Sequence, residues 1–260
     1  MNELAMDHCA DIGCHEVSLR RHGQRVLEMI SCAFRPGELT AVVGPNGAGK
    51  SSLLQVLAGV LAASSGTVAI NEKPLTEISA AERARLCAFL PQSEAPAWSV
   101  SGADLVALGL LPWGRLGDRD ERVRAALARV EGADFASRPV TQLSGGELRR
   151  VQLARLLVGE APLLIADEPT AALDVRHQLQ LLQTLRGIAD GGKTVILALH
   201  DLPLAARFCD RVVLLERGRL RAQGTPQDVF TPALIGEVYG VTCEFRWRAG
   251  EPEFVVFDLV

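Results

Sequence analysis

The chain has 260 residues, 48% of them apolar and 22% charged, which suffices for a sizeable core and excludes disordered, collagenous and coiled-coil compositions. Lysine and arginine total 27 against 31 acids, and a net charge of -4 gives no electrostatic ground for nucleic-acid binding. No apolar run approaches the roughly 18 residues of a membrane span, and Met1 to Gly13 lacks the basic and apolar regions of a secretory signal, so a cytoplasmic chain is expected.

Hydrophobic periodicity places the elements in chain order. Glu16 to Leu19 and Val26 to Phe34 read as strands around a turn at His22-Gly23. Leu39 to Val43 is a short apolar strand, followed by a helix over 50–58. Residues from about 93 to 142 show helical spacing (Val123, Leu127, Val130) between Pro- and Gly-bearing breaks, and no strand. They read as an inserted helical subdomain, which reaches about 160 with the helix after Leu143. Strands are expected at 163–167, 194–199 and 211–215, with helices at 174–189 and 202–208. Alternation at Cys243 to Trp247 and Glu253 to Phe257 makes the C-terminal stretch folded. Strands alternating with helices predict an α/β fold with a parallel sheet. The cysteines are scattered without metal-ligand spacing and read as free, mostly buried thiols.

Three motifs carry chemistry. Gly44-Pro45-Asn46-Gly47-Ala48-Gly49-Lys50-Ser51 satisfies GxxxxGK[ST] between a strand and a helix, the context in which backbone N–H groups wrap a phosphate. Lys50 adds a point charge, the Ser51 hydroxyl is a Mg2+ ligand, and Ser52 completes the nucleotide-binding set. Leu163 to Asp167 is an apolar strand ending in two acids, Asp167 and Glu168. Asp167 would hold Mg2+ and Glu168 polarise an attacking water, although Asp-Glu-Pro also suits a helix N-cap. Leu143-Ser144-Gly145-Gly146-Glu147 opens a helix whose apolar face includes Leu148, Val151, Ala154 and Val158. Ser144 and Glu147 form a capping box by themselves, but a capping box does not explain two consecutive glycines, which expose N–H groups to an anion.

Taken together, the set resembles the nucleotide-binding subunit of an ATP-binding cassette (ABC) transporter, in the family's order along nearly the whole chain. Walker A is Gly44 to Ser51, the Q-loop glutamine is Gln92, the signature is Leu143 to Glu147, Walker B is Leu163 to Asp167, the D-loop is Ala172 to Asp174 and the switch histidine is His200. The resemblance implies a P-loop NTPase core of RecA type, with an antiparallel β subdomain and the helical insertion, in one nucleotide-binding domain over 1–260. It implies ATP and Mg2+ as cofactors, with Ser51, Gln92 and Asp167 toward the metal and Glu168, His200 and Gln92 in hydrolysis. It also implies that a second copy pairs with the first, its Ser144, Gly145 and Gly146 closing over ATP. His22 stands where the family places an aromatic against adenine, with Arg20 or Arg21 as other candidates; His8, His15 and His177 read as surface residues.

The segment from Leu90-Pro91-Gln92 through Val106 to Gly109, and the ending Gly224 to Pro226 with Val229 to Thr231 and Tyr239 to Val241, resemble the importer branch serving ferric siderophores, haem and cobalamin. By that resemblance the protein works with permease subunits, indirectly with a substrate-binding protein, on the cytoplasmic face of the inner membrane. Trp98, Val100, Leu111 and Trp113 would meet the permease, Trp98 being as compatible with core, while Leu105 and Leu108 read as core. The other readings are a soluble ABC ATPase of translation or DNA repair and the ATPase of an exporter.

Overall fold

The computed structural model describes residues 9–92, 99–114, 116–248 and 251–259. The expectations for His8 and Trp98 lie outside them. β1 (Ile12–Arg21) and β2 (Gln24–Phe34) pair around the His22-Gly23 turn, where φ is +50 and +78, the two positive angles that a tight hairpin turn uses. β3 (Leu39–Val43) is wholly buried and passes through the glycine-rich loop into α1 (Lys50–Leu57). β4 (Ser65–Ile70) and β5 (Lys73–Pro74) join the first hairpin in an antiparallel sheet of order β2-β1-β4-β5. α2 (Ala80–Leu86), capped by Ser79, runs straight into β6 (Cys87–Leu90).

Next come α3 (Gly102–Ala107), a 3-10 run over Leu108–Trp113, α4 (Arg119–Arg129) and α5 (Gly145–Leu157). β7 (Leu163–Asp167), α6 (Val175–Asp190), β8 (Thr194–Ala198), α7 (Leu202–Phe208) and β9 (Arg211–Glu216) continue the alternation. β10 (Arg219–Gly224), α8 (Pro226–Val229), α9 (Pro232–Tyr239) and the hairpin β11 (Val241–Arg248), β12 (Glu251–Leu259) complete the chain.

The central sheet runs β10-β9-β3-β8-β7-β6, parallel except for β10. Strand alternation splits its side chains between two cores. Leu39, Ala41, Val43, Leu164, Ala166, Val195 and Leu197 pack on the side of α5, α6 and α7. Val42, Leu163, Ile165, Ile196 and Ala198 pack on the side of α1 and the antiparallel sheet. A third core joins α3, α4 and α5 through Val106, Leu110, Leu127, Phe135 and Val151. Phe230, Phe245 and Trp247 stack at 5.4 and 6.0 Å and seat the C-terminal hairpin on the rest.

Three expectations change. Leu105 is core, but Leu108 is 45% exposed. The buried stripe runs through Val106 and Leu110, half-buried Gly109 lies so close to α5 that a Cβ on it would be 2.3 Å from the Arg155 carbonyl, and Leu108 falls off that stripe. Trp113 and Val100 lie partly against the helical core, and the Arg85 guanidinium covers the Trp113 ring at 5.9 Å, so Leu111 carries the exposed apolar surface there. His177 is not a free surface residue: its Nδ1 meets Asp174 Oδ1 at 2.8 Å and its ring faces Glu131. The thiols are unbridged, four of the cysteines are buried, and burial pushes Cys87 up to about 12. Among the described residues no helix is long and apolar enough to cross a membrane.

Candidate nucleotide-binding and hydrolysis site

Four neighbouring parallel strands end at one edge of the central sheet, and each delivers one part of the site. β3 leads into Gly44–Gly49, β8 into His200, β7 into Asp167-Glu168 and β6 into Gln92. Carboxyl ends of parallel strands are where crossover wiring leaves a crevice for ligands.

The loop's shape is set by its glycines. Gly44, Gly47 and Gly49 take φ of +149, +78 and +99. A Cβ on Gly44 would lie 2.2 Å from the Leu215 carbonyl oxygen and one on Gly49 2.9 Å from Leu27 Cδ2, whereas Gly47 opens onto free space. Gly44 and Gly49 therefore let the loop press against β9 and β2, and Gly47 answers to its backbone conformation. Gly49 caps α1 without a side-chain bond, so the first-turn N–H groups are presented to the loop's concave side. Asn46 and Gly47 are exposed, Pro45, Ser51 and Ser52 half-buried, and Ala48 buried.

Lys50 is buried, and its ammonium donates to the carbonyls of Gly44 at 2.8 Å and Pro45 at 3.2 Å. Burial lowers its pKa, while the Glu168 and Asp167 carboxylates oppose that shift. Asp167 is 1% exposed and its Oδ1 is buried without a hydrogen-bond partner, while the neighbouring Ser51 hydroxyl favours the charged carboxylate. Burial raises the Asp167 pKa against the pull of Ser51, Lys50 and Arg149. An orphaned buried carboxylate oxygen beside a hydroxyl is a donor set that fits a hard divalent cation.

Glu168 has φ +49, and its N–H donates to the Ala198 carbonyl at 3.2 Å. Its Oε1 is bonded to Nε2 of His200. No helix starts at this acidic pair: the chain turns through Pro169 to Leu173, and Asp174 caps α6, which removes the N-cap reading. Gln92 is exposed just beyond β6.

Ser144 caps α5 with the full capping box, Glu147 Oε2 accepting the Ser144 N–H at 2.7 Å and Ser144 Oγ accepting the Glu147 N–H at 3.3 Å. The Ser144 N–H and then Arg138 hold the Glu147 carboxyl down to about 2. A Cβ on Gly146 would lie 3.0 Å from the Ala172 carbonyl oxygen, while one on Gly145 would make ordinary contact at 3.7 Å. Packing against the loop after Glu168 thus accounts for one glycine and leaves exposed Gly145 available to a ligand. His22 is exposed at the β1–β2 tip, and β2 passes the phosphate loop at Val26-Leu27.

Sequence reading passed over Arg149, which is 5% exposed and bonded to backbone carbonyls on both sides of the site. Its available signal was a polar pair, Arg149 and Gln152, three apart on a helix face that is otherwise apolar.

Residues 27–171, which include the phosphate loop, Gln92, the 143–147 segment and the acidic pair, match the family model described as ABC transporter. The chain belongs to the ABC transporter family. It is therefore an ATP-binding ATPase, and its ABC motifs before residue 171 fall inside the matched span, with His200 beyond it. The chain is similar to the Hemin import ATP-binding protein HmuV of Streptomyces coelicolor, 48% identical over 226 residues that cover 85% of this chain and 81% of that protein. HmuV of Pseudomonas entomophila is also 48% identical, over 230 residues covering 86% and 90%. Among solved structures, the dimeric ATP-binding cassette MJ0796 in a post-hydrolysis state with ADP and Pi gives a TM-score of 0.75 at 26% identity, covering 83% of this chain and 98% of that one.

Proposed function

We propose that this ABC ATPase powers a hemin importer, attached through permease subunits to the cytoplasmic face of the inner membrane and served indirectly by a substrate-binding protein. The observation that carries the reading is the gathering of Lys50, Ser51, Asp167, Glu168, His200 and Gln92 at one sheet edge, in a chain 48% identical to proteins named for hemin import. Of the ligands the sequence resemblance implied, hemin is the one these relatives name; ferric siderophores and cobalamin have no such support.

In this reading the loop from Gly44 to Gly49, with Lys50 and Ser52, cradles the phosphates, and His22 stacks on adenine. Mg2+, when held by Ser51, Asp167 and Gln92, supplies positive charge against the phosphate oxygens. His200 engages one oxygen of Glu168, so the other is left to orient and polarise the attacking water. The neighbours of Ser144 and Gly146 in their own chain are Glu147 and Ala172; a second copy would present these residues and Gly145 to the γ-phosphate. Leu108 and Leu111, 45% and 69% exposed, would meet the permease.

The test is capture of the Glu168→Gln chain with ATP from detergent-solubilised native membranes to identify its partner, followed by assay in vesicles of that partner reassembled with the unsubstituted chain. Recovery of a polytopic permease whose ATP-driven uptake takes hemin is expected. Recovery of ribosomal or DNA-bound proteins alone would overturn the importer reading, and uptake of cobalamin or a siderophore without hemin would overturn the ligand.

A further inference from the structure

Arg149 lies near the start of α5, the helix that opens with Ser144, and is almost wholly buried. Its guanidinium donates to carbonyls of two separate loops. Nη2 reaches the Asp167 and Glu168 carbonyl oxygens, both at 2.7 Å, and Nε reaches that of Pro169 at 3.4 Å. Nη1 reaches the Pro91 carbonyl, just before Gln92, at 3.0 Å and Gln152 Oε1 at 3.5 Å.

The carbonyls of Asp167 and Glu168 belong to the two peptide planes that flank the Glu168 Cα. Holding both planes fixes the direction of its Cα–Cβ bond, and so the aim of the carboxylate. The restraint matters because Glu168 sits at φ +49, a conformation that a non-glycine residue keeps only where its surroundings over-determine it. The Glu168 N–H bond to Ala198 supplies one restraint from β8, and the charge-assisted bonds from Arg149 supply the others.

We propose that Arg149 is a positioning residue for ATP hydrolysis, making the aim of Glu168 and the seat of the Gln92 loop depend together on where α5 lies. The proposal rests on the reading of Glu168 as the residue that orients water.

The experiment compares Arg149→Gln, Arg149→Lys, Glu168→Gln and the Arg149→Gln/Glu168→Gln double variant, by steady-state ATPase kinetics, by Kd for a fluorescent ATP analogue and by thermal melting. A folded Arg149→Gln chain should lose about tenfold or more in kcat while its Kd changes less than about twofold. Lysine, with a charge but no fork, should recover part of kcat, and on the Glu168→Gln background Arg149→Gln should cause no further fall. Three results would overturn the proposal: kcat within about twofold of the parent, a rate loss matched by an equal loss of affinity, or the full fall repeated on the Glu168→Gln background. Where Arg149→Gln does not fold, Arg149→Lys decides alone, with lowered kcat at retained affinity expected and parental kcat contradicting the proposal. Parental turnover in Glu168→Gln removes the premise; an inactive Glu168→Gln beside a parental Arg149→Gln removes only the role of Arg149.

Discussion

Gly44 is a fixed glycine of the GxxxxGK[ST] pattern and Gly47 falls at one of its open positions, and the structure assigns the two different work. A side chain on Gly44 meets the Leu215 carbonyl oxygen at 2.2 Å, whereas one on Gly47 meets nothing within 4 Å. Gly44→Ala should therefore destabilise the fold by about 3 kcal/mol or more, because backbone must move. Gly47→Ala should cost only about 1 kcal/mol, from its positive φ, and instead impair nucleotide binding. Urea unfolding with parallel ATP titration checks the order, and a less stable Gly47→Ala would contradict the geometry. His22 is exposed at a turn tip, so its replacement by Ala should spare the fold. If the imidazole stacks on adenine, ATP affinity should fall about fivefold, a loss of about 1 kcal/mol, and tripolyphosphate affinity should hold. Calorimetry of both ligands separates the cases, and equal losses would exclude stacking.

Among the elements, the strands under the site were the most legible. β3 and β7 occupy the residues their apolar runs indicate, and β8 ends one residue short of expectation, at Ala198. The elements β4, β5, α2 and β6 are short and half-exposed, and their spacing carries little period. By contrast α8 and α9 had a readable signal, Thr225-Pro226 and Thr231-Pro232, each a cap followed by proline at the first helical position. The α5 cap yields a prediction with a definite sign. Glu147 is depressed from 4.5 to about 2, so its stabilising effect is full above pH 4.5 and is lost as pH falls toward 2. Glu147→Gln should lower the urea midpoint at neutral pH, with the difference from the parent shrinking across that window. A difference that is constant with pH would show that charge on Glu147 does not matter to the cap.

For the molecule as a whole, the signature segment and the phosphate loop have separate neighbours within one chain, so pairing of two copies should depend on ATP. Glu168→Gln with ATP is expected to double in mass by light scattering, and a mass unchanged by ATP would count against the sandwich. In the proposed importer the exposed Leu108 and Leu111 would meet the permease instead. Leu111→Asp should leave ATPase activity of the isolated chain within about twofold, because it touches neither core nor site, and should reduce co-purification of the permease several-fold. An unchanged yield of the complex would move the contact elsewhere.

By itself the sequence determined what is local. Glycines, a lysine and a hydroxyl at fixed spacing specify the phosphate loop, short apolar runs specify the buried strands, and motif order identifies the ABC family, because each depends on residues close in the chain. The tertiary structure decided what meets what. Only the strand order β3-β8-β7-β6 brings the phosphate loop, His200, Glu168 and Gln92 side by side. Only packing turns Leu108 outward and sends the Arg149 guanidinium to Pro91 and Glu168. The physical reason is that crossover connections separate neighbouring strands by long stretches of chain, so spacing along the sequence carries no measure of distance across the sheet.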